Sequence, residues 1–119
     1  MSFTKTTLSA STLSGDEVKN AAGEDLGHIK DIVLDTTSGQ IAYYVLSFGG
    51  FLGLGDKLFA VPPQSIQIDT EEECIVLNVT KEQLKDAPGF DKDNWPDFAD
   101  QRFRDQIYSY YGYEYRKAA

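Results

Sequence analysis

The stretch "LGHIKDIVLDTTSGQIAYYVLSF", residues 26–48, decides the fold of this chain. Two β-rich runs flank "TTSG", and Gly39 near the end of that tetrad predicts a tight hairpin. Neither run alternates cleanly between apolar and polar residues. In the first, Ile29 and Val33 share one parity while Leu26, Ile32 and Leu34 share the other. A bulge with strong coiling accounts for this, as expected where a small sheet closes on itself. In the second, apolar groups occupy both parities throughout, so the outer face of that strand must be covered. The two candidates for the cover are a second copy of the protein and the carboxy-terminal segment.

On either side of the hairpin the same grammar continues. "EVKN" reads as a first strand, and "AAGED" as a turn with Gly23 free to take positive φ. "KLFAV" and "SIQID" flank Pro62–Pro63, a pair that marks a corner because it cannot sit inside a central strand. The acidic "DTEEE" leads into "CIVLNV", whose Ile75, Leu77 and Val79 alternate toward one face. Short strands broken by frequent turns predict a small all-β domain over residues 14–80.

The ends differ from this middle. Residues 1–13, rich in Ser and Thr, read as a flexible arm that docks through Leu8 or Leu13. Residues 81–119 read as a helical, aromatic-rich extension. "TKEQLKDAPG" predicts a helix of about two turns, N-capped by Thr80 and stopped at Pro88–Gly89. A second helix is predicted from Asn94 as N-cap, with Pro96 in its first turn and Gly112 at its end. Phe98, Phe103, Ile107 and Tyr110/Tyr111 then share a stripe. Eight aromatic residues lie between Trp95 and Tyr115, a density that needs a surface to lie on.

With 119 residues, 41% of them hydrophobic, the chain can bury one modest core. Its 11 basic and 19 acidic residues give a formal charge of −8, a field that opposes nucleic acid and anionic lipid. One cysteine excludes an intrachain disulfide and any multi-cysteine metal site. No apolar run approaches the roughly 18 residues of a membrane span, and the amino end lacks the apolar core of a secretory signal. These features predict a soluble, cytoplasmic protein with no direct membrane insertion and no nucleic-acid partner.

The glycine-rich block "FGGFLGLGDKLFAVP", residues 48–62, is the most unusual composition. A phosphate-binding loop would need Gly-x-x-x-x-Gly-Lys followed by Ser or Thr, then a helix. Gly50 and Gly55 have that separation, but Asp56 intrudes before Lys57, Leu58 replaces the hydroxyl, and a β-run follows. The dinucleotide pattern fails as well, because no third glycine follows Gly53 and Gly55 at position 58. The block therefore reads as architecture, with Phe51, Leu52 and Leu54 folding over a barrel end or meeting a partner.

The remaining chemistry is sparse. His28, the only histidine, lies near Asp25 and Asp31 without further ligands or a nucleophile aligned with it, and reads as an exposed or hydrogen-bonded strand residue. Cys74 follows three glutamates that would raise a thiol pKa, which predicts a buried, inert side chain. "DTEEE" reads as a solvated turn, and "DKDNWPD" lacks the central Gly and terminal Glu of a calcium loop. No hydroxyl nucleophile has a base at recognisable spacing. No catalytic, cofactor-binding or metal-binding residue is expected, and the protein is expected not to be an enzyme.

The order of elements resembles the PRC-barrel family. The resemblance is carried by the "V-x-N-x-x-G-E-x-L-G" opening (Val18, Asn20, Gly23, Glu24, Leu26, Gly27), by the "D-x-x-x-G-x-I-A-Y" hairpin (Asp35, Gly39, Ile41, Ala42, Tyr43), and most specifically by "SFGGFLGLGDKLFAVP". It covers about residues 15–80, and the tail looks like that of small bacterial stand-alone members. The chain departs from that pattern at Pro63, often Trp in such members, and in the ending "YYGYEYRKAA". The resemblance implies a mainly β, small SH3-like barrel with a C-terminal helical extension, and makes the glycine block an inter-strand loop. The family includes the cytoplasmic domain of the photosynthetic reaction-centre H subunit and a docking domain of a ribosome maturation factor. What these share is protein binding.

The expected function is therefore a non-enzymatic protein-interaction or adaptor module. Apolar residues on both parities of "QIAYYVLSF", the 51–54 loop and the aromatic tail favour a homodimer. Phe51, Leu52, Leu54, Tyr108, Tyr110 and Tyr111 are the candidate contact residues, against the alternative that they complete the monomer core. The alternative function is an accessory to membrane electron transport, or a small-ligand sensor using the barrel mouth.

Overall fold

A computed structural model describes residues 9–13, 15–48, 57–69 and 74–114. One six-stranded sheet dominates it: β1 (Glu17–Lys19), β2 (Asp25–Leu34), β3 (Ile41–Phe48), β4 (Lys57–Val61), β5 (Ile66–Asp69) and β6 (Cys74–Leu77). The spatial order is β4-β3-β2-β1-β6-β5, antiparallel throughout except for the parallel β1–β6 pair. The sheet curls into a half-barrel, with β4 and β5 as its two edges. Among the described residues three α-helices accompany it: α1 (Ala10–Leu13), α2 (Lys81–Lys85) and α3 (Gln101–Tyr110).

The hairpin forms where the sequence places it. Asp35 N–H donates to Gln40 O (2.8 Å) and Gly39 N–H to Asp35 O (2.7 Å), while the Asp35 carboxylate accepts from Thr37 N–H (2.8 Å). Gly39 sits at φ +76°, a conformation that a β-carbon would strain. The expected irregularity of the β2 strand is present as two breaks in its register with β3, between Ile29 and Asp31 and between Val33 and Leu34. A further break, in its register with β1 between Asp25 and His28, lets Leu26 and Ile29, of opposite parity, both be buried. The same strand can then turn Ile32 toward one apolar cluster and Val33 toward another.

At the other end of β2 the two strands approach closely at Gly27. A β-carbon there would run into the Ser47 carbonyl and lie 3.1 Å from Phe48 Cα. Upstream, Asn20 is buried and ties the β1–β2 turn: its Oδ1 accepts from Ala22 N–H (3.1 Å) and Glu24 N–H (2.9 Å), and its Nδ2 donates to Glu24 Oε1 (2.8 Å). The quoted motif positions are thus the joints of the sheet. The Pro62–Pro63 corner is a 3₁₀ turn at Pro63–Ser65, closed by the buried Ser65 hydroxyl donating to Pro62 O (2.6 Å).

Inside the curl, Val18, Leu26, Ile29, Tyr44, Leu46, Phe48, Phe59, Val61, Ile75 and Leu77 form the main core. Leu13 of α1 is buried in it, as is Leu84 of α2. The α2 helix carries a full capping box: Gln83 N–H donates to Thr80 Oγ1 (3.0 Å) and Thr80 N–H to Gln83 Oε1 (2.9 Å). It runs five residues rather than two full turns, because Pro88 disfavours a helical Ala87 and Asp86 takes the C-cap.

The second helix begins later than the sequence predicts, at Gln101 with Asp100 as N-cap, not at Asn94. Pro96 excludes the helical region at Trp95, and the Asp97 carboxylate captures Ala99 N–H (3.0 Å) in a local turn that competes with helix. Trp95 and Phe98 instead pack on Phe90, at 5.2 and 6.0 Å between ring centroids, with Trp95 still exposed. The α3 helix ends in a Schellman motif, Tyr113 N–H to Tyr108 O (2.8 Å) and Gly112 N–H to Ser109 O (3.1 Å), so Gly112 stops it as expected.

Candidate functional site

β3 is buried on both sides. Tyr44, Leu46 and Phe48 point into the main core, whereas Tyr43 belongs to a second apolar cluster with Ala60, Ile107 and Tyr108, all but sealed from solvent. Val33, Ala42, Phe90, Phe98, Phe103, Tyr111 and Tyr113 pack around that cluster. Of the two covers the sequence leaves open for this face, the carboxy-terminal segment occupies it. Tyr43 is the hub: its ring centroid lies 5.5 Å from Phe98 and 5.8 Å from both Phe103 and Tyr108. The tilted and edge-on geometries match the preference of aromatic quadrupoles.

Three further ties hold the segment down. Phe90 makes a two-bond antiparallel bridge to Leu58, on the outer edge of β4, with N···O distances of 2.9 and 2.8 Å. Tyr108 Oη donates to Ala42 O (2.8 Å), and Tyr110 Oη donates to Gln83 O (2.6 Å) across to α2. The bridge also covers part of a sheet edge that would otherwise be open to pairing.

The candidate contact residues fall into different settings. Tyr108 is buried within the chain, and Tyr110 is exposed with its hydroxyl tied to α2. Tyr111 is half-buried and packs against both apolar clusters. Burial, followed by the neighbouring Tyr110, pushes the Tyr111 hydroxyl well above its ordinary range, and that hydroxyl has no hydrogen-bond partner. Phe51, Leu52 and Leu54 lie outside the described residues. Tyr43 and Ala60, the sheet side of the contact, were not among the candidates. The signal for Tyr43 was present, since it is the neighbour of opposite parity to Tyr44 in a strand apolar on both faces.

Elsewhere the polar side chains are dispersed. His28 is exposed on β2, opposite Ser47 and Glu17. Cys74 is half-buried rather than fully buried, because the inward parity of β6 belongs to Ile75 and Leu77. Among the described residues no three His, Cys, Asp or Glu side chains gather as a metal-binding group. No helix among them is long and apolar enough to cross a membrane. A cleft of about 470 Å³ opens between the hairpin turn and residues 96–104, with Val33, Ala42 and Phe98 among its apolar lining and Asp35, Asp97 and Arg104 among its polar lining.

No curated protein matches the chain significantly. The profile of the PRC-barrel domain matches residues 5–84, which include every strand of the sheet and most of α2. The curled sheet, its glycine joints and this match together make the chain a member of the PRC-barrel family.

Proposed function

We propose that this protein is a non-enzymatic interaction module that self-associates, with the outer face of β3–β4 as its binding surface. The observation that carries the reading is the second apolar cluster. A curled sheet needs one core to fold, yet this sheet has a further dry apolar layer outside, and that layer binds a polypeptide segment through stacked aromatic rings. Buried aromatic anchors surrounded by a polar rim are the features that concentrate binding energy at protein interfaces. The net charge of −8 adds a bias against nucleic acid as the partner.

Light scattering coupled to gel filtration tests the self-associating part. The expected result is a mass that rises toward twice 13.3 kDa as concentration increases into the high micromolar range. A monomeric mass throughout that range removes self-association from the reading.

A second reading, a small-ligand sensor, is favoured by the 470 Å³ cleft, whose size suits a small molecule. It predicts a bound chromophore, quinone or metal in the purified protein. A bare 280 nm band with no metal in elemental analysis counts against it.

A further inference from the structure

The contact between the carboxy-terminal segment and β3–β4 has the features of one that two chains can exchange. The partners are complementary by demonstration: Ile107 and Tyr108 of α3 are buried against Tyr43 and Ala60, with Phe98 and Phe103 stacked on Tyr43. The link between the two halves, residues 91–97, is exposed apart from a half-buried Pro96 and has no regular structure. Its hydrogen bonds are local, such as Asn94 N–H to Asp91 O (3.0 Å) and Ala99 N–H to Asp97 Oδ1 (3.0 Å). Re-routing it costs the stacking of Trp95 on Phe90 but breaks no hydrogen bond to the sheet. The docked arrangement also keeps the Tyr111 hydroxyl dry and unpartnered, which lowers the cost of releasing the segment. With the segment in place, the large exposed apolar residues among the described ones are scattered: Leu34, Ile68 and Tyr110 sit on three different elements, and Trp95 lies in the link. Among the described residues, the face of the sheet under the segment gathers Tyr43, Ala60, Val33 and Ala42 in one apolar cluster.

We infer that the protein dimerises by reciprocal exchange, residues 98–113 of each chain seating on the β3–β4 face of the other. This rests on the self-associating reading and specifies its geometry. Exchange reproduces contacts already present and needs no new surface, so it is a low-cost route to a two-fold dimer. Each chain supplies both a face and a cover, and the resulting interface is closed.

The test uses the full chain. Uniformly ¹³C-labelled and unlabelled protein are unfolded together, refolded as a mixture and concentrated. Isotope-filtered NOE spectra then detect contacts between chains only, while light scattering on the same sample reads the mass. The expected result is a dimer with inter-chain NOEs from the Tyr43 ring to the Phe103 and Tyr108 rings, and from the Ala60 methyl to Ile107. A dimer whose Tyr43–Tyr108 and Ala60–Ile107 contacts are all intra-chain overturns exchange and leaves self-association standing. A monomer at every concentration overturns both.

Discussion

Gly27 shows how one atom can decide a strand crossing. At φ +101°, against the Ser47 carbonyl, it has neither the conformation nor the space for a β-carbon. Gly27→Ala is expected to cost about 3 kcal/mol or more, because both the backbone strain and the clash fall on main-chain atoms that cannot move aside. Gly39→Ala, at positive φ but with open space around it, is expected to cost only about 1 kcal/mol. Urea denaturation of the two variants checks the contrast, and equal losses would contradict it. Tyr111 makes a pH prediction at the same scale. Its folded-state pKa is raised above the ordinary 10.0 of tyrosine by burial, so above that pH the unfolded chain loses a proton that the folded chain keeps. The stability associated with this group is complete below pH 10.0 and falls as pH rises beyond it. Tyr44, also pushed up by burial, acts in the same direction. Tyr111→Phe is expected to flatten the alkaline limb of a Tm-versus-pH curve, and an unchanged limb would count against the buried hydroxyl.

Among the elements, α2 and α3 depend on different physics. α2 has five residues, too few to be stable alone, and relies on its capping box and on Leu84 in the main core. Thr80→Ala is expected to destabilise the protein by about 1 kcal/mol, measured in chemical denaturation, with Thr80→Ser close to neutral. α3 depends on its underside. Ile107→Ala removes a fully buried side chain and is expected to cost about 2–4 kcal/mol. Tyr108→Phe keeps the ring against Tyr43 but loses the bond to Ala42 O, for about 1 kcal/mol. Equal losses from the two would mean that the hydroxyl, not the apolar contact, holds the helix. The late start of α3 belongs to this scale as well. Asn94 and Pro96 read as a helix start in sequence, but local turns at Asp91 and Asp97 and the stacking of Trp95 on Phe90 keep the chain out of the helix until Asp100.

The whole molecule has two apolar layers on one sheet, the main core inside the curl and the aromatic layer outside it, with Tyr111 touching both. Placing a charge in the outer layer should separate them. Ile107→Asp is expected to detach residues 98–113 while the inner core keeps the β signal in far-UV circular dichroism. The emission of Trp95, the only tryptophan, would then shift to the red as it loses Phe98. Loss of the β signal in that variant would show a single cooperative core instead. Much of this architecture was legible in the chain itself. The 26–48 hairpin, the bulged strand, the Pro62–Pro63 corner and the Thr80 cap follow from local rules of turn chemistry, parity and capping, which act over a few residues. The same parity showed that the outer face of β3 had to be covered. What covers it could not be read that way, because Tyr43 meets Phe98, Phe103 and Tyr108 across more than fifty residues of chain. Sequence determined that an apolar surface exists and which aromatic residues could meet it. Only tertiary packing decided which rings stack on it, because burial is non-directional and any apolar partner of the right shape satisfies it.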